Sequence, residues 1–128
     1  MLRVKFVPLL AGILIVGLIG LAGCGTTTSR KLETITLNPT VADAQDFPNG
    51  QVPFTATGHF NKPPATETPL TVGWQVSDSS IATVTSAGVG ECIAGKTGMV
   101  TVTGFIQEVG LNGNKGGRTE GTAQLQCP

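Results

Sequence analysis

From Ile35 onward, apolar and polar residues alternate with a period of two in one short run after another, and this constrains the fold more than any other feature. Ile35 and Leu37 alternate with Thr34 and Thr36. Val52, Phe54, Ala56, Gly58 and Phe60 share a face, opposite Gln51, Thr55, Thr57 and His59. Leu70, Val72, Trp74 and Val76 share another, opposite Thr71, Gly73 and Gln75. Ala82 and Val84 form a short segment. Val100, Val102, Gly104 and Ile106 alternate with Thr101 and Thr103, and Ala123, Leu125 and Cys127 with Thr122, Gln124 and Gln126. Successive side chains of a strand point to opposite faces, so each run makes one dry and one wet face. No stretch shows a convincing helical period. Turn chemistry separates the runs, at Asn38-Pro39, Pro48-Asn49-Gly50, Pro63-Pro64, Ser77-Asp78-Ser79-Ser80, Ala87-Gly88 and Gly95. About seven short strands of this kind predict an all-β, antiparallel β-sandwich. The 18 threonines among residues 24–128 suit its solvated faces, being both β-branched and polar.

Size and charge narrow the function. A chain of 128 residues excludes a multidomain enzyme and a TIM barrel, and leaves little room for a dinucleotide-binding sheet. The eight basic and eight acidic residues balance. Without Arg3 and Lys5, six basic face eight acidic residues with no basic stripe, so no nucleic-acid partner is expected. There is no internal repeat.

Arg3 and Lys5 precede 18 uncharged residues, Phe6 to Gly23. A basic segment followed by an apolar one is the pattern of a secretory signal. The run is just long enough to cross a bilayer as a helix, which is the alternative. Pro8, Gly12, Gly17 and Gly20 make it a poor anchor, and it ends in Leu21-Ala22-Gly23-Cys24. That ending resembles the lipobox of bacterial lipoproteins. The resemblance implies cleavage before Cys24, a diacylglycerol on its thiol and acylation of the new amino group. On this reading residues 1–23 are a lipoprotein signal peptide preceding the sandwich, 24–31 the lipidated Cys and a polar tether, and 32–128 the single domain. Two or three acyl chains hold a protein stably where one does not, so the membrane is a partner through Cys24. Gly25 stands where sorting rules in Gram-negative bacteria, by resemblance, favour the outer membrane.

Three cysteines make an odd count. With Cys24 lipidated, Cys92 and Cys127 remain in an oxidising compartment, where one intramolecular pairing is possible. Such a bridge would stabilise the fold by roughly 3–4 kcal/mol on the chain-entropy view. Two reduced thiols are the alternative. Two distant cysteines and a lone histidine, His59, do not make a zinc site, and no metal is expected.

Four stretches carry a second resemblance. Thr36-Leu37-Asn38-Pro39 opens the domain, and Gln51-Val52-Pro53-Phe54-Thr55-Ala56-Thr57-Gly58 follows. Then come Val72 to Val84, with a Trp-x-x-Ser-Asp-x-x-x-Ala-x-Val block, and Gly95 to Gly104. Together they resemble the bacterial immunoglobulin-like domain, group 2, of surface proteins such as intimins and invasins, over residues 32–106. The family puts a serine where Gln75-Val76 stand. Residues 110–128 exceed its core pattern, and Cys92 and Cys127 are not general features of it.

Several residues invite sharper readings. Gly90 to Thr97 matches G-x-x-x-x-G-K-[ST], the phosphate-cradling P-loop, but the β-branched stretch Gly98 to Thr103 follows where a helix is needed, so no nucleotide is expected. Trp74 could stack on a sugar, yet it shares the apolar stripe of Leu70, Val72 and Val76 and reads as core. Phe47 and Phe60, at element margins, are better candidates for an exposed contact. His59 has no nucleophile or acid at a telling spacing. Asp43 and Asp46 flank a loop with too few oxygens for calcium, and Asp78 reads as the cap of its own turn. Gly110 to Gly117 reads as a flexible loop joining the last two strands, and with Lys115 and Arg118 it is the first candidate for a binding loop.

These readings point to a non-enzymatic envelope lipoprotein, without cofactor, whose one Ig-like domain serves adhesion, binding or structural presentation to a protein or glycan ligand. The alternative is a cell-surface carbohydrate-binding module presenting Phe47 or Phe60.

Overall fold

The computed structural model describes residues 29–128. The expected signal peptide and lipobox, with Cys24, lie outside the described residues. Ten strands follow in order: β1 (Leu32–Asn38), β2 (Val41–Asp43), β3 (Gln51–Pro53), β4 (Thr55–Phe60), β5 (Thr66–Glu67), β6 (Gly73–Val76), β7 (Ala82–Val84), β8 (Val89–Cys92), β9 (Gly98–Val109) and β10 (Lys115–Cys127). Short 3-10 turns at Ala44–Asp46, Pro48–Gly50 and Leu111–Gly113 are the helical segments among the described residues.

The expected seven strands are recovered by tracing crossings of the sandwich. β1 and β2 form one crossing broken at Asn38-Pro39, where a proline has no N–H to give a ladder. β3 and β4 are halves of one strand, interrupted at Phe54, whose N–H bonds the Gly88 carbonyl at 2.8 Å. β5 is a two-residue addition against Gly58 and His59. One layer is therefore β1, β4/β3, β8 and β7, and the other is β2, β10, β9 and β6. Lettered by crossing, this is the A-B-E-D and C-F-G order of an immunoglobulin-like sandwich. The pairing is antiparallel except where β2 runs parallel to β10, with Val41, Ala42 and Asp43 opposite Gln124, Leu125 and Gln126. That parallel pair departs from the purely antiparallel sheet expected. It arises because the chain changes layers after Asn38 while keeping its direction.

Alternation places the core. Val52, Phe54 and Ala56 of one layer bury against the same interior as Val100, Val102, Ala123 and Leu125 of the other. Leu32 and Ile35 are both buried despite odd spacing, because the β1 register shifts between Leu32 and Thr34. Such a bulge turns the strand by one face. Thr103 is buried on the outer face, where central β9 sets it between Gln75 and Thr122. Trp74 is half-buried and packs on the core, so the core reading holds for one side of its ring. A Cβ on Gly88, which has φ of +82°, would stand 2.7 Å from that ring.

Two features tie the layers together. Cys92 of β8 and Cys127 of β10 form a disulfide, with Cα atoms 5.6 Å apart. At Gly121 of β10 the backbone of β1 comes so close that any Cβ would collide with the Ile35 carbonyl. We expect the pair Cys92→Ala with Cys127→Ala to lower stability by about 3–4 kcal/mol. The measurement is the midpoint of urea unfolding under non-reducing conditions, and an unchanged midpoint would contradict the bridge as a major stabiliser.

Candidate functional site

The registers define two ends. Leu32, Phe60, the β4–β5 turn and the β9–β10 turn lie at the end where the described chain begins. Cys127, Gly98, Asp43 and Glu91 lie at the other, hereafter the far end. Residues with site potential divide between them.

At the near end, Arg30 lies over the Phe60 ring at 3.3 Å from its centroid. Its guanidinium donates to the Pro64 carbonyl at 2.8 and 3.1 Å and pairs with Glu67 at 3.3 Å. The Lys31 N–H donates to Asn61 Oδ1 at 2.8 Å, and the Asn61 N–H returns a bond to the Lys31 carbonyl at 3.1 Å. Phe60 is thus stacked by its own chain, which occupies the face a sugar would use. Arg30 and Lys31, read as tether, are fastened to the sandwich.

The β9–β10 connection is shorter than the loop read at Gly110 to Gly117. The turn covers 110–114, closed by the Gly110 N–H on the Asn114 carbonyl at 2.8 Å, and Lys115, Gly116 and Gly117 begin β10. The glycines that signal a loop serve a register shift between Lys115 and Arg118. A Cβ on Gly116 would meet the Glu108 carbonyl at 2.8 Å. Arg118 stacks over Phe105 at 3.9 Å and pairs with Glu120 at 3.0 Å. Of the candidate loop cations, Lys115 stands at the hairpin tip, opposite Val109.

At the far end Phe47 sits between two 3-10 turns, half-buried and packed on the core. The Asp43 carboxylate accepts the Gln45 N–H at 3.0 Å and starts the first turn. Asn49, with φ of 58°, and Gly50, with φ of 68°, reverse the chain in the second. The ring borders two shallow clefts. One, of about 240 Å³, lies between the first turn and Glu91, Cys92 and Pro128. The other, of about 330 Å³, lies against Gln51, Pro53 and Val89. An apolar ring edged by Gln45, Asn49, Gln51 and Glu91 can take a small amphipathic group, with stacking below and polar contacts around. A third cleft, of about 260 Å³, runs beside Phe54, Leu70, Val72, Trp74 and Ala87 on the sandwich flank.

The remaining candidates resolve locally. His59 Nε2 lies 3.1 Å from Thr36 Oγ1 on the outer face. The P-loop match folds as the end of β8 and the turn that leads to β9, closed by the Lys96 N–H on the Ile93 carbonyl at 3.0 Å. No helix start exists there to gather amides, and Cys92 within the motif is bridged. Among the described residues no group of three histidine, cysteine or acidic side chains could hold a metal. The Phe47, Phe60 and Lys115–Arg118 candidates do not converge. The Arg30 clamp on Phe60 joins positions thirty apart, and Glu91 reaches the Phe47 rim from β8, so no local spacing reveals either, although Gln45, Asn49 and Gln51 flank Phe47 in the sequence.

Asp78 caps its turn, accepting the Ser80 hydroxyl and, at 2.8 Å, the Ser80 N–H. The hydroxyl bond first, and the backbone bond second, hold its carboxyl below the usual carboxylate range. Both bonds favour the charged form, so the stability they contribute is complete above the ordinary carboxylate pKa and is lost as pH falls through the lowered value. We expect Ser80→Ala to move the Asp78 titration upward in an NMR pH series, leaving other carboxylates in place.

A scan against protein-family models found no match, and a search of curated proteins found none.

Proposed function

We propose that this protein is a non-enzymatic envelope lipoprotein, held by lipid on Cys24, whose single Ig-like domain of the group 2 type serves adhesion, binding or structural presentation. The uncharged run ending in Leu21-Ala22-Gly23-Cys24 motivates the anchor. The observation that carries the reading is the Arg30–Lys31 clamp. It brings the folded domain to within five residues, 25–29, of Cys24, and places that junction at one end of the sandwich. Five residues reach at most about 18 Å. A lipid on Cys24 therefore holds the near end at the bilayer, in the outer membrane if the cell is Gram-negative, and leaves the far end with Phe47 available to a ligand.

Mass spectrometry of membrane-extracted protein tests the anchor. The expected product begins at an acylated Cys24 and carries the mass of one disulfide, while Cys24→Ala leaves an uncleaved, unacylated precursor. A membrane form that retains Met1 would refute the proposal.

A second reading, a carbohydrate-binding module, has one observation in its favour: the half-buried Phe47 ring with amides and a carboxylate around it. It places the sugar on Phe47 and not on Phe60, which Arg30 covers. On a glycan array, Phe47→Ala should abolish binding, and Arg30→Ala should leave it unchanged. No binding by the parent protein, or binding indifferent to Phe47→Ala, removes this reading.

A further inference from the structure

The charges of the sandwich are segregated along its length. Five of the six Lys and Arg residues between 29 and 128, namely Arg30, Lys31, Lys62, Lys115 and Arg118, lie in the near half. Four carboxylates, Glu33, Glu67, Glu108 and Glu120, share it, and two of these are taken up by Arg30 and Arg118. The far half holds Lys96 alone against Asp43, Asp46, Asp78 and Glu91. The domain therefore has a weakly positive near end and a clearly negative far end. The near end also carries the exposed tip of the β9–β10 hairpin, where Val109 is 85% exposed and faces Lys115 across the strand pair.

We propose that this tip is a foot that rests on an anionic bilayer surface and holds the domain upright. The inference rests on the lipid anchor proposed above. Two arguments carry it. The first is reach. β10 runs alongside β1 in the same direction, with Gly121 against Ile35 and the Gln124 N–H on the Thr40 carbonyl, so Leu32 stands level with Arg118. The hairpin continues three residues beyond that level to Lys115 before it turns. At about 3.3 Å per residue it projects some 10 Å past the start of β1, the same order as the span of the five-residue tether. A lipid on Cys24 thus brings the tip to the headgroups without any movement of the fold.

The second argument is charge complementarity. An anionic leaflet carries a negative surface potential that decays within a Debye length, about 8 Å at physiological salt. Only the near end lies inside that layer, and its net positive charge, five cations against four carboxylates, is attracted. If the domain lay flat, the four far-end carboxylates would enter the layer and be repelled. Val109 beside Lys115 matches the chemistry of an interface, where an apolar group enters the headgroup boundary and a cation meets phosphate.

The test uses the full processed chain in two sets of vesicles, phosphatidylcholine alone and phosphatidylcholine with phosphatidylglycerol. Amide hydrogen exchange is followed at 109–114 and, as an internal control, at the far-end turn around Lys96. Exchange at the tip should slow on the anionic vesicles, revert at high salt, and remain unchanged at the far end. Lys115→Gln should reduce the protection about fivefold, the factor carried by one cation at such a surface, and Lys96→Gln should not affect it. Mass spectrometry of the same sample reads the acyl group on Cys24. An unacylated Cys24 overturns the anchor and the foot together. An acylated chain whose tip exchanges equally on both vesicles overturns the foot and leaves the anchor standing.

Discussion

The sandwich depends on β10 being held from every side. It pairs with β9 along its whole length and with β2 at its far end, and the Cys127 bridge ties it to β8 of the other layer. Its inward residues Ala123, Leu125 and Cys127 are almost fully buried. At Gly121 the missing side chain lets β1 pass close enough to seal one long edge between the layers. A larger residue there would separate Ile35 from the core and open the interior beside Leu37. The bridge at the last inward position of β10 pins the far end of the strand to β8 of the other layer.

What the sequence makes legible is what depends on a local period. The faces of β4, β9 and β10 follow from alternation alone, since a strand with one buried side must repeat every two residues. β5 leaves no such mark because Thr66 and Glu67 are both exposed. The parallel pairing of β2 is also hidden, since only Ala42 of its three residues is buried, too short a run to show a period. Gly116 and Gly117 mislead in the opposite direction. Glycine in a strand and glycine in a loop are the same letter, and here the close approach of the Glu108 carbonyl accounts for Gly116.

The candidate sites show the same limit. Phe60 stands in an apolar stripe and at a strand end, which leaves its ring as either core or contact. Arg30 decides the matter, and it does so from thirty positions away through stacking and hydrogen bonds that no spacing rule contains. Phe47 has the reverse history. It lies outside any periodic run, so only its position between turns marked it. The fold adds Glu91 and Gln51 from β8 and β3 beside it, which gives an isolated aromatic a polar surround.

The placement of the two ends follows from parity. The chain crosses the sandwich seven times when β1/β2 and β3/β4 are each taken as one crossing. An odd number of crossings sends the two ends of the domain to opposite ends of the sandwich. Leu32 therefore stands beside the hairpin tip, and Cys127 beside the Phe47 turns. With an anchor on the N-terminal side, the hairpin is placed by topology against the support and cannot also be the outermost loop. The cations gathered at that end and the carboxylates at the other are then arranged as a negatively charged support requires. On the proposed anchoring, the end turned away from the support is the one where the Cys92–Cys127 bridge lies beside the Phe47 turns. An even number of crossings would have brought Cys127 to the end at Leu32 and left the Phe47 turns, one crossing from Leu32, without the bridge beside them.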